Sequence, residues 1–252
     1  MSIRQPSEME GMKKVSEVVG IVLREMVKYA SSGMTAKALD EFGGLIMKQF
    51  GAQSAPQLAY KFPGYTCISV NEEIAHGIPY SSKVLKEGDL VNVDVSAELD
   101  GYWADNGCSF VLGEDINNQQ HLVDASRDIL TKAISNIKGG VRISSIGKLI
   151  EDEAKKKGYK VIRNLAGHGV GLSLHEEPEE ILNCYDRFNI RRFKKNSVVA
   201  IETFISTKST FALKTRDGWT LVGNKGGFVA QHEHTIVVTD DKPIILTEMN
   251  GI

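Results

Sequence analysis

The fold turns on the stretch Val91-Asn92-Val93-Asp94-Val95-Ser96-Ala97-Glu98-Leu99-Asp100-Gly101-Tyr102-Trp103-Ala104-Asp105. Val91, Val93 and Val95 alternate with Asn92, Asp94 and Ser96, the period-2 pattern of a strand with one apolar face. Asp100-Gly101 predicts a two-residue hairpin turn, because both central residues of such a turn need positive φ. With those two in the turn, Leu99 pairs with Tyr102 and Ser96 with Asp105. Asp94 and Asp105 then become diagonal neighbours on the face away from the valines, about 7–8 Å apart. Two carboxylates placed in this way either stand in water, the usual fate of Asp in a half-buried strand, or grip cations between them.

The surrounding chain sets the class. Its 252 residues are 42% hydrophobic and 25% charged, an ordinary balance for a soluble globular protein with ample length for a core. The formal net charge of −2 gives no electrostatic reason to expect nucleic acid or an anionic membrane as partner. No apolar run approaches a membrane span, and the N-terminus lacks signal-peptide architecture. Cys67, Cys108 and Cys184 are odd in number and show no CxxC spacing, which argues against disulfides and thiolate zinc and for a cytoplasmic location.

Outward from the hairpin, the chain makes two similar passes. Ser7 and Glu10 predict a capping box for a first helix running to about Ala30, and Thr35 caps a second that Gly51 stops. Pro56 to Pro63 is expected as a loop, Cys67 to Asn71 as a short strand, and Ala75-His76-Gly77-Ile78-Pro79 as a turn. After the hairpin come helices over about 118–138 and 144–157, with glycines 18 residues apart (Gly140, Gly158) as in the first pass (Gly33, Gly51). A strand over Tyr159 to Leu165 is expected next, ending in Gly167-His168-Gly169-Val170-Gly171. Val198 to Ile205 and Val229 to Val238 follow as apolar strands. This weak repeat, without a linker, is read as one pseudo-symmetric domain over 1–252.

Chemistry-bearing residues sit at telling places in that scheme. Glu202 lies inside a strand so apolar that its carboxylate must be paired, protonated or bound to a cation unless it faces water. Glu233 alternates with His232 and His234 and so faces away from both, which are read as surface or packing residues. His168 stands between glycines whose bare backbone permits close approach to a buried site. Asp94, Asp105, His168, Glu202 and Glu233 together make four carboxylates and one imidazole, a donor set suited to two divalent ions such as Co, Mn, Fe or Zn. No HExxH is present, since His175-Glu176 lacks the second His, and no nucleophile elbow supports a serine triad.

These residues, with Cys67-Ile68-Ser69-Val70-Asn71, Leu174-His175-Glu176-Glu177-Pro178, Ala200-Ile201-Glu202 and Glu233-His234-Thr235, resemble the type I methionine aminopeptidases of the bacterial sort over about Ser2 to Thr247. The resemblance implies an α/β pita-bread fold with pseudo-two-fold symmetry, a central antiparallel sheet bearing two helix pairs on its outer face. It implies one metal on Asp94, Asp105 and Glu233 and a second on Asp105, His168, Glu202 and Glu233. It further implies removal of initiator methionine ahead of a small second residue, with a metal-bridging water as nucleophile and Glu202 as proton shuttle. By the same likeness His175 donates to the oxyanion, His76 contacts the substrate amide, and Phe62, Cys67, Leu174 and Trp219 line the methionine pocket. The partners implied are N-termini of nascent polypeptides, met at the ribosome by a monomeric enzyme, although no N-terminal docking extension is visible.

The pattern is not followed throughout. Thr203 stands where the family commonly has Pro, Asn106 where a small or hydroxyl residue is usual, and Leu174 where an aromatic is frequent. Two rival readings remain open on the sequence: an X-Pro peptidase of the same fold, and a non-catalytic pita-bread module that binds peptides.

Overall fold

The computed structural model describes residues 1–251. Helix α1 (Pro6–Tyr29) starts two residues earlier than Ser7 suggested: the Glu8 carboxylate accepts the backbone N–H groups of Arg4 (2.6 Å) and Gln5 (3.3 Å), so Gln5 is the cap. Thr35 Oγ1 accepts the Ala38 N–H at 3.1 Å and opens α2 (Ala36–Gln49) as expected. Strand β1 (Gln53–Ser54) leads into a short helix α3 (Ala55–Tyr60), in place of the expected loop. Ser54 caps it through Gln57 N, and Pro56 sits in its first turn, where its missing N–H costs nothing.

Strands β2 (Cys67–Val70) and β3 (Glu73–Ala75) precede the hairpin of β4 (Leu90–Leu99) and β5 (Tyr102–Val111). Its register is the one read from the turn: Leu99 faces Tyr102 and Ser96 faces Asp105, with φ +53° at Asp100 and +85° at Gly101. The second pass carries α4 (Gln120–Ser135) and α5 (Ile143–Lys156). The strand expected over 159–165 shrinks to β6 (Lys160–Val161), because Asn164 leaves the ladder to clasp Ala212, accepting its N–H (2.8 Å) and donating to its carbonyl (3.0 Å). Next come β7 (Ala166–Gly169), β8 (Glu176–Leu182) and β9 (Val198–Ser206). The last strands are β10 (Ala212–Lys214), β11 (Leu221–Gly223), β12 (Val229–Val237) and β13 (Ile244–Ile245).

The main sheet runs β1-β4-β5-β12-β9-β7-β8, and all its ladders are antiparallel; β10, β11 and β3 form a small second sheet. Two apolar cores lie under the helices. Met12, Val15, Val19, Val22 and Met26 of α1 and Leu39 of α2 pack on Val91, Val93 and Val95, whereas Ile129 and Ala133 of α4 and Ile146 and Ile150 of α5 pack on Val199, Ile201 and Ile236. Each helix pair thus buries the apolar face of its own half of the sheet. The opposite face is left free for the polar residues of the same strands.

Candidate metal centre

Five neighbouring strands, β4, β5, β12, β9 and β7, each send one residue to that free face: Asp94, Asp105, Glu233, Glu202 and His168. Cross-strand pairing sets Glu233 directly opposite Glu202 and His168 opposite Ala200, two residues from Glu202. On the hairpin, Asp94 and Asp105 sit on the predicted diagonal and share a hydrogen bond between their carboxyl groups. Close approach of β7 depends on the bare backbone around His168. A Cβ at Gly167 would lie 2.4 Å from Ala200 O, and one at Gly169 would lie 2.4 Å from Glu177 O.

Asp105, His168 and Glu233 are buried, and each offers a ligand atom within 4.8 Å of the other two. His168 Nδ1 lies 2.9 Å from Gly169 O, a group that only accepts, so Nδ1 carries the proton and Nε2 presents its lone pair, 3.7 Å from Asp105 Oδ2. Burial lowers the His168 pKa and keeps the ring neutral.

Burial disfavours the charge of all four acids, and neighbouring acids add to this at Asp94, Glu202 and Glu233. Burial, then the Asp105 charge, pushes Asp94 well above the carboxylate range. Asp105 is pushed up to about 6 by burial, partly offset by the hydrogen bond from Asp94 and the Asn106 N–H. Glu202 and Glu233 are also raised well above their usual value, first by burial and next by the other acids. Glu233 Oε2 accepts from Gln231 Nε2 at 3.0 Å, while Oε1, also buried, has no partner among the described residues. An orphaned buried carboxylate oxygen, a deprotonated imidazole nitrogen and a crowd of frustrated acids are what divalent cations would satisfy. The donor set fits.

Around this cluster opens a cavity of about 420 Å³, lined by the six residues to which the resemblance assigned substrate contacts: His76, His175, Phe62, Cys67, Leu174 and Trp219. Phe62 and Trp219 meet edge to face at 5.2 Å, and with Cys67 and Ile78 they form a small apolar cluster. His76 follows β3 at φ +53°, and His175 precedes β8 with its ring centroid 4.1 Å from that of His168.

His232 and His234 do face away from the centre, but both are buried, so the surface reading of them is corrected. α4 covers that side of β12, and His234 Nδ1 meets Thr247 Oγ1 at 2.7 Å. Thr203 and Asn106 are likewise buried away from the centre. Thr203 Oγ1 lies 3.1 Å from Ser126 Oγ, and Asn106 donates to Val19 O while accepting from Asn250 Nδ2.

Sequence reasoning missed Gln231, Asn92 and Ser109. Asn92 Nδ2 donates to Gln231 Oε1 (2.7 Å) and Ser109 Oγ (3.2 Å), so a buried chain of amides ends on Glu233. A signal was present: Gln231 lies two residues before Glu233 and Asn92 two before Asp94, on the same strand faces.

The model of metallopeptidase family M24 matches residues 10–240. The chain is 46% identical to methionine aminopeptidase 2 of Bacillus subtilis over 249 residues, 99% of this chain and 100% of that protein. It is 39% identical to the methionine aminopeptidase of Staphylococcus epidermidis over 251 residues, again 99% and 100% of the two chains. The crystal structure of methionine aminopeptidase from Thermotoga maritima superposes with a TM-score of 0.91 at 38% identity, covering 98% of this chain and 99% of that one. The prolidase of Pyrococcus furiosus shares the fold, with TM-score 0.77 at 21% identity, covering 97% of this chain and 65% of that one.

Proposed function

The chain belongs to metallopeptidase family M24, and from that premise we propose that it is a methionine aminopeptidase of the type I, bacterial sort, acting on the N-termini of nascent polypeptides. The observation that carries this reading is the set of five ligand-type side chains, one from each of five adjacent strands, beside a cavity with an apolar, sulfur- and aromatic-lined end.

Asp94, Asp105 and Glu233 would hold one divalent ion, and Asp105, His168, Glu202 and Glu233 a second. Such ions supply Lewis acidity that makes water a competent nucleophile at neutral pH. Glu202 stands at the cavity wall with a raised proton affinity, suited to take the proton of the attacking water and return it to the departing amine. His175 donates to the oxyanion that develops on the scissile carbonyl, and His76 contacts the amide nitrogen. Phe62, Cys67, Leu174 and Trp219 receive the methionine side chain. By the same likeness, a small residue is expected next in the peptide.

The test is release of free methionine from Met-Gly-Met-Met by metal-stripped protein with and without Co²⁺ or Mn²⁺. Metal-dependent release is expected, and Glu202→Gln should lower kcat roughly 10²–10⁴-fold. Turnover of X-Pro peptides in place of Met-Gly peptides, or no release with any divalent ion, overturns the reading.

A further inference from the structure

Tyr60 ends α3 with its ring on the cavity wall, and its hydroxyl lies 2.6 Å from His175 Nδ1. The two rings are tilted by 56° with centroids 5.7 Å apart, a geometry that brings the phenol tip to the edge of the imidazole and does not stack the rings. On its other side the His175 ring rests against His168. His175 is therefore held between one ligand-type histidine and one tyrosine, although its own backbone belongs to an exposed loop. Its Nε2 has no partner among the described residues.

A hydroxyl can donate or accept, so the pair has two arrangements. If the phenol donates to Nδ1, the ring proton sits on Nε2, which becomes a donor. If Nδ1 donates to the phenol, Nε2 becomes an acceptor and is useless to an oxyanion. A phenol keeps its proton throughout the neutral range, so the hydroxyl is able to donate.

We propose that Tyr60 is a positioning residue for the reaction: its hydroxyl donates to His175 Nδ1, fixes the ring plane and keeps the proton on Nε2, the nitrogen that meets the substrate. The inference rests on the role given to His175 above. It is separable from it, because Tyr60 need not touch the reacting atoms. α3 thereby acquires a chemical task, since it carries the hydroxyl to the loop that precedes β8.

The experiment is a double-mutant cycle on the Co²⁺- or Mn²⁺-loaded enzyme with Tyr60→Phe, His175→Ala and both together. It is paired with ¹⁵N NMR of the histidine rings in the diamagnetic Zn²⁺-loaded protein. Phe keeps the ring, and Tyr60 is half exposed, so folding is preserved and is checked by thermal unfolding. Tyr60→Phe should lower kcat roughly tenfold with KM little changed, and add nothing once His175 is Ala. The ¹⁵N spectrum should show His175 protonated at Nε2 in the wild type and a mixture of tautomers in Tyr60→Phe. An unchanged kcat in Tyr60→Phe, or an equal loss in the His175→Ala background, overturns the proposal. An unchanged kcat in His175→Ala alone overturns the reading of His175 itself, and the two failures are thus told apart.

Discussion

At the scale of single residues, the centre shows which side chains the alternation of a strand can identify and which it cannot. Glu202 was legible because a carboxylate inside the apolar strand Val198 to Ile205 needs a reason to be there. Asp94 and Asp105 were legible because the Asp100-Gly101 turn sets them on one diagonal, and Glu233 because alternation separates it from His232 and His234. Gln231 was passed over because a neutral amide in a strand raises no such alarm. Its effect is nonetheless specific, since its Nε2 orients Glu233 by one oxygen and leaves the other free. Gln231→Ala should weaken divalent-ion affinity about 10–100-fold, measured by calorimetric titration of the stripped protein, and an unchanged affinity would count against the amide chain as a support. Tyr60 was invisible for another reason: its partner lies 115 residues away, and nothing local in either segment points to the other.

At the scale of elements, the hairpin was the most readable piece, because turn chemistry and alternation agree on one register. The short helix after Ser54 was the least readable, since six residues containing a proline carry too little periodicity to separate helix from loop. The strand expected over 159–165 failed where a side chain overrode propensity, with Asn164 supplying to Ala212 the hydrogen bonds of a ladder. The pairing of α4 with α5 is partly ionic: Glu153 of α5 bonds Lys132 of α4 at 2.7 Å and Lys156 of its own helix at 2.6 Å. The Lys132 hydrogen bond, then that from Lys156, lowers the Glu153 pKa from 4.5 to about 2. A carboxylate depressed on folding stabilises above its unfolded pKa and loses that contribution as pH falls through the folded value. Glu153→Gln should therefore lower Tm at pH 6 while the difference from wild type vanishes toward pH 2, as followed by circular dichroism melts. Because the group lies near the surface, high salt should shrink the difference as well.

At the scale of the whole molecule, the sheet is a scaffold whose stability and chemistry oppose each other. Two helix pairs bury one face, and the other face collects four acids whose proton affinity is raised by burial and, at Asp94, Glu202 and Glu233, by the neighbouring acids as well. Divalent ions binding only the folded form should stabilise it by about 2.7 kcal/mol at a hundredfold excess over Kd, or roughly 5–10 °C in Tm. Calorimetric scans of stripped protein with added Mn²⁺ should show this rise, and a chelator should reverse it. A Tm indifferent to every divalent ion would mean that the acids are satisfied in some other way.

The place of β12 has a consequence in time as well as in space. It lies in the middle of the sheet between β5 and β9, yet it is the last long strand of the chain to be made. During synthesis the hairpin must wait through more than a hundred further residues with one flank unpaired, and the strand that fills the gap also brings Glu233. Pairings between segments so far apart in sequence form slowly and leave an adhesive edge on show in the interim. The newborn chain is thus incomplete as a catalyst for as long as it is incomplete as a sheet, and the arrival of one segment ends both conditions together.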